Sequence, residues 1–144
     1  MWKTLKNIGC SLSTYEALSP DLQLRQVVNR RLQQRPGRSL PQWIEEFWLP
    51  RGISAPVADF VSRQLGEYSG LETTRLLPSD HLETTLHLTL VCWFDWSMRL
   101  CEDFYQEFGI DISHRLDFQD LSTLEELLVF LNAQLLQAQS SPPP

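Results

Sequence analysis

Three cysteines, three histidines and several adjacent carboxylates are the side chains with the chemistry of nucleophiles, metal ligands or proton carriers. Cys10, Cys92 and Cys101 form an odd set without C-x-x-C spacing. That is the pattern of free thiols in a reducing compartment, not of a disulfide framework. His81, His87 and Cys92 are the one conceivable metal set in the sequence, but no close pair of ligands opens it, as zinc spacing requires. Glu45-Glu46, Glu102-Asp103 and Glu125-Glu126 lie in segments with helical periodicity. Neighbouring side chains there diverge by about 100° and cannot share one proton. The chain has no G-x-S-x-G, no G-x-x-x-x-G-K-[ST] and no H-E-x-x-H. These patterns point away from catalysis and toward a chain that works by contact, with no metal.

The elements that must position these residues read as helices. In "SPDLQLRQVVNRRLQQRPG", Ser19 and Pro20 supply start signals, and Leu24, Val27, Val28 and Leu32 recur at helical spacing until Pro36-Gly37. "RSLPQWIEEFWLP" predicts a short helix capped by Ser39, with Trp43, Ile44, Phe47 and Trp48 as its apolar side. "SAPVADFVSRQLGEYSG" predicts another, capped by Ser54 and stopped by Gly70, with a stripe of Val57, Phe60, Val61, Leu65 and Tyr68. A long connection follows over residues 70–92. Its leucines 76, 77, 82, 86, 88 and 90 are expected to tie it down, and "LHLTLVC" within it reads as extended loop or as the lead-in to a helix.

Asp95 is the predicted cap of the next helix, because a carboxylate suits its first-turn amides and the positive end of its dipole. Ser97, Cys101, Phe104, Tyr105 and Phe108 fall on its predicted buried face, with Leu100 beside them, and Gly109 ends it. In "LSTLEELLVFLNAQLLQAQ", Ser122 and Glu125 have capping-box spacing ahead of a stripe of Leu124, Leu127, Leu128, Leu131 and Leu135. The class expected is all-α: a four-helix bundle with a long loop after its first helix and additional N-terminal helices.

Charge is divided unevenly. Residues 1–38 carry seven basic side chains against two acidic ones, while residues 39–144 carry five against sixteen. The organisation predicted is a basic extension with one amphipathic helix over 1–38, a helical domain with a short leading helix over 39–138, and a disordered tail over 139–144. Arg25, Arg30, Arg31 and Arg35 give the basic helix either a second contact with a partner or a dock on the acidic body. Its narrow apolar side lacks Trp and Phe, which disfavours a membrane surface. The overall net charge of −6 disfavours nucleic acid as the main ligand. No apolar run approaches the roughly 18 residues of a span. The lysine-containing start also lacks the apolar stretch of a signal peptide, so a cytoplasmic chain is expected.

From about residue 55 to 136 the order of helix, long loop, helix, "FGIDI" and final helix resembles acyl-carrier-protein-like domains. "EDFYQEFGIDIS" looks like the end of the carrier recognition helix and the hydrophobic step after it, and "DLSTLEELLVFL" resembles the last carrier helix. The resemblance implies a serine in an Asp-Ser-Leu site, modified with phosphopantetheine, fourteen residues before the Phe of the step. Counting back from Phe108 gives Phe94, with Trp93 and Asp95 beside it. A subset of carrier-like proteins of unknown function lacks that serine, and Asp95, Leu100, Phe104, Phe108, Asp111, Ile112 and Ser113 fit its pattern.

The function this implies is a non-catalytic adaptor without a cofactor. It would bind the basic surface of another protein through Trp93, Trp96, Arg99, Glu102, Asp103, Gln106 and Glu107. The two aromatic groups, Trp43, Phe47 and Trp48 on one side and Trp93, Phe94 and Trp96 on the other, would either pack together or leave a Trp exposed as an anchor. The alternative is a genuine carrier holding phosphopantetheine at Ser97. Ser79, beside Asp80, has the wrong order for that role.

Overall fold

The computed structural model describes residues 19–140, and all its regular elements are helical. In chain order they are α1 (Leu22–Gln33), α2 (Leu40–Trp43), α3 (Ala55–Ser69), α4 (Leu88–Val91), α5 (Trp96–Phe108) and α6 (Leu124–Ser140). A π-helical turn, Ile44–Trp48, and a 3-10 turn, Leu49–Arg51, continue α2, and a second 3-10 turn covers Thr73–Arg75. Strands are absent among the described residues, where the one isolated bridge joins His81 to Thr123. None of the described helices is long and apolar enough to cross a membrane. The expectations on Cys10, on the first residues of the chain and on the tail from residue 141 lie outside the described residues, while residues 139 and 140, expected in that tail, belong to α6.

One buried cluster runs from Val28 and Leu32 of α1 to Leu131 of α6. Helix α3 is its hub and touches α5, α6, the π turn and the 3-10 turn after it. The basic helix is therefore docked on its own body. Asn29 donates to the Gly70 carbonyl at 2.9 Å and accepts from the Glu72 amide at 3.0 Å. Arg25 donates to the Val91 carbonyl at 2.7 Å, and Arg35 makes a two-pronged pair with Asp80 at 2.7 and 2.9 Å. That hydrogen-bonded carboxylate holds the Arg35 guanidinium above its usual pKa. Arg30 and Arg31 stay exposed.

The starts of α1 and α6 differ from the sequence reading. Asp21, not Ser19, caps α1 by accepting from the Leu24 amide at 3.0 Å. Ser39 does cap α2, in a reciprocal box with Gln42. The box of α6 is shifted by one residue, to Thr123 and Glu126. The Thr123 hydroxyl accepts from the Glu126 amide at 3.2 Å, and the Glu126 carboxylate accepts from the Ser122 and Thr123 amides at 2.9 Å. The amides of Leu124 and Glu125 are already taken by the carbonyls of Asp80 and Pro78, both at 2.9 Å. The long connection thus supplies acceptors for the unpaired donors of the last helix.

The amides of Ser122 and Thr123 hold the Glu126 carboxylate below its usual pKa. A group lowered in this way stabilises the fold above its unfolded pKa, and the contribution is lost as pH falls through the lowered value. Thr123→Ala is expected to cost about 1 kcal/mol. A shift of the urea midpoint with unchanged slope, followed by tryptophan fluorescence, checks it.

The π turn has a packing cause. Five residues on a regular helix rotate by roughly 140° between Trp43 and Trp48, which would send one indole to solvent. Widening the turn to i→i+5 brings them toward one face. Both are fully buried, their ring centroids 5.5 Å apart and edge to face. Trp43 also donates to the Leu76 carbonyl at 2.8 Å, which pins the long connection beneath this corner. Leu76, Leu82, Leu86 and Leu88 of that connection are buried as expected, whereas Leu90 turns outward. The "LHLTLVC" stretch forms the single turn α4.

Candidate functional site

Helix α5 carries most of the residues expected to make contacts, and its neighbours divide them among three sides. Trp96, Leu100 and Phe104 face inward and are buried. Phe104 meets Phe60 at 5.5 Å and Phe108 at 4.7 Å, and Trp96 meets Phe118 at 4.7 Å with the rings tilted by 55°. Trp96 is therefore a core residue and not an exposed anchor. Tyr105, next to Phe104 and so rotated about 100° from it, points out at 53% exposure. That corrects its expected place on the buried face. Asp95 occupies the cap position without making a side-chain capping bond.

A second side turns toward α3. Arg99, Asp103 and Glu107 are spaced one turn apart there. Arg99 lies 5.0 Å over the Tyr68 ring and 3.6 Å from Glu67. The Tyr68 hydroxyl donates to Asp103, and Arg63 donates to both oxygens of Glu107, at 3.0 and 2.7 Å. Burial, then the Asp103 hydrogen bond, push the Tyr68 phenol well above its usual pKa. Three of the seven expected contact residues are thus tied into the α3–α5 seam.

The third side faces solvent. Met98, Glu102 and Tyr105 follow at i, i+4 and i+7, with Gln106 beside them. Met98 is 64% exposed, and Phe94, just before the helix, is 61% exposed. Two open clefts of about 280 and 390 Å³ adjoin along this side and share Cys101, Glu102 and Ser113. Leu116 and Phe118 add apolar lining to the first, and Asp111 adds a carboxylate to the second. The Ser113 hydroxyl and amide donate to Asp111 at 2.6 and 2.9 Å and hold its carboxyl below the usual range. Burial, then Asp111 and Glu102, raise the Cys101 thiol, so it stays protonated at neutral pH. Glu102 has no ion-pair or hydrogen-bond partner among the described residues.

The remaining candidates are scattered. Ser97 is half-buried at the first cleft, Trp93 is half-buried, and Ser79 is exposed in its turn. His81 Nδ1 accepts from the Thr84 amide at 3.2 Å, which turns it into its own loop. Burial pushes the Cys92 thiol up to about 12. No three His, Cys, Asp or Glu side chains gather as a metal set among the described residues. The two aromatic groups have separate partners, since Trp43 meets Trp48 and Trp96 meets Phe118. Sequence reasoning missed Met98 and Tyr105 as surface residues, although their i, i+7 spacing around Glu102 was there to read. Comparison of the chain with protein-family models, curated proteins and solved structures gives no match.

Proposed function

We propose that this chain is a non-catalytic interaction module on an acyl-carrier-like helical body, and that the outward side of α5 binds a basic surface of another protein. The observation that carries this reading is the row Met98, Glu102, Tyr105: two exposed apolar side chains flank a carboxylate that has no partner among the described residues. Met and Tyr supply area that can be desolvated, and the acid selects a cation and steers its approach. The contact set keeps Glu102 and Gln106 and adds Phe94, Met98 and Tyr105. It leaves out Trp96, which is buried, and Arg99, Asp103 and Glu107, which α3 already engages. Support for the carrier-like body comes from the order α3, long connection, α5, the Gly109 to Ile112 step, then α6, with Ile112 fully buried in the core.

Because Asp103 is the acceptor for Tyr68, changing it would disturb the α3–α5 seam. Met98→Asp with Glu102→Lys alters only exposed side chains. We expect the double variant to lower capture of a partner from native lysate by more than tenfold, with helicity unchanged. Capture by the wild type should also weaken with salt. Equal recovery of the same protein by wild type and variant would refute the surface.

One observation favours a second reading, that of a carrier. Ser97 stands half-exposed at the 280 Å³ cleft, whose Met98, Leu116 and Phe118 lining suits an apolar chain. Phe94, the position that carrier spacing gives the serine, has no hydroxyl to esterify, so Ser97 is the residue that would hold phosphopantetheine. The arm would supply a thiol for acyl transfer. Co-expression with a phosphopantetheinyl transferase and intact mass measurement separates the readings. A gain of one arm, lost in Ser97→Ala, would replace the first with the second.

A further inference from the structure

The solvent side of α6 is uncharged over most of its length. From Leu127 to Ser140 the helix has no charged residue, in a chain of net charge −6. At 100° per residue, Val129, Ala133, Leu136 and Ser140 line up opposite the buried stripe of Leu124, Leu127, Leu128 and Leu131. Val129 is 47% exposed and Leu136 53% exposed. The spacing of 4, 3 and 4 is that of a coiled-coil seam, and the small residues Ala133 and Ser140 let a second helix approach closely. Glu125 and Glu126 lie just before the seam, where Glu125 pairs with Arg51 and Glu126 caps the helix.

We propose that this seam pairs with the same seam of a second copy of the chain, antiparallel, to form a weak two-fold dimer. The occupant follows from charge. Two copies of an acidic chain repel wherever acidic surfaces meet, and an uncharged face is where they approach without that cost. The direction follows from the ends. A parallel pair would set Glu125 and Glu126 of one copy against those of the other, whereas an antiparallel pair separates them and lets the helix dipoles oppose. In that register Ala133 meets the second copy's Leu136, and Val129 meets its Ser140, a small residue against a large one at each layer. The patch is self-complementary, as a two-fold interface requires. Its short length places it among transient contacts.

Sedimentation of the full chain at increasing concentration tests this. We expect a monomer–dimer equilibrium that strengthens as salt rises, because screening relieves repulsion between like-charged copies. A head-to-tail contact between the acidic α5 side and the exposed Arg30 and Arg31 of α1 would weaken with salt and would overturn the proposal. Leu136→Glu, at an exposed position, should weaken dimerisation by tenfold or more, and Glu102→Lys should leave it intact. A monomer up to roughly millimolar concentration, the weak end of measurable association, or a dimer indifferent to Leu136→Glu, would also overturn it.

Discussion

Arg35→Ala will lower the stability of the fold by about 3 kcal/mol, an effect far beyond that of a surface charge. The cause is the residue left behind. Asp80 is only 5% exposed, and Arg35 grips both of its oxygens, at 2.7 and 2.9 Å. Without the guanidinium the carboxylate keeps one donor, the Leu77 amide at 2.7 Å, and a buried charge without its counter-ion is strongly unfavourable. The damage will spread, because the Asp80 backbone carbonyl accepts from Leu124 at the start of α6 and Arg35 also donates to the Arg75 carbonyl at 3.0 Å. Urea unfolding followed by the fluorescence of buried Trp43 and Trp48 will report the loss. Asp80→Asn in the Arg35→Ala background should recover part of it, since a neutral amide costs less to bury than an unpaired carboxylate. A loss below about 1 kcal/mol, the scale of an exposed pair, would show the pair to be ornamental.

That same pair marks where reading the sequence stops. The helical character of residues 22–33 was legible from Leu24, Val28 and Leu32, and so was its excess of arginine. Which arginines find a partner was not. Asp80 lies 45 residues away, and only the folded path of the long connection brings it under Arg35. The capping box of α6 shows the same limit at short range. Ser122/Glu125 and Thr123/Glu126 satisfy one spacing rule equally well. The choice falls to the second because the Asp80 and Pro78 carbonyls already occupy the amides of Leu124 and Glu125. Gly70 and Gly109, by contrast, were readable as helix ends from the residue type alone. Both have positive φ, at 69° and 71°, where a side chain would be strained.

On α5 the sequence offered one acidic, aromatic helix with no means of ranking its sides. Glu102 and Asp103 are neighbours of equal charge. One faces water and the other accepts from Tyr68, which lies 35 residues earlier. Periodicity alone predicted a face centred between Cys101 and Tyr105, and the real inward face is Trp96, Leu100, Phe104. The shift comes from α3, whose Phe60 claims Phe104 while its Arg63 and Glu67 claim Glu107 and Arg99. What is left after those claims, Met98, Glu102, Tyr105 and Gln106, is the surface that can meet another molecule.

The sharpest test of that rotation is a pair of neighbouring truncations. Phe104→Ala is expected to cost about 3–5 kcal/mol, the range for removing a fully buried aromatic ring. Phe104 has no exposed surface, and its ring contacts Phe60 and Phe108 edge to face or tilted, at 5.5 and 4.7 Å. One ring belongs to α3 and the other to the last turn of α5 itself, so the space left can close only in part, and the loss includes a cavity as well as the lost burial. Against a total stability of about 5–15 kcal/mol for a domain, such a loss is a large fraction of the whole and will show as a large drop in the unfolding midpoint. Tyr105→Ala, one residue on, removes a ring that is 53% exposed and should cost less than about 1 kcal/mol. The two variants, compared by thermal and urea unfolding, therefore report which way α5 faces. Equal losses would place both rings in the core, remove Tyr105 from the proposed contact surface, and leave Met98 and Glu102 as its only central members.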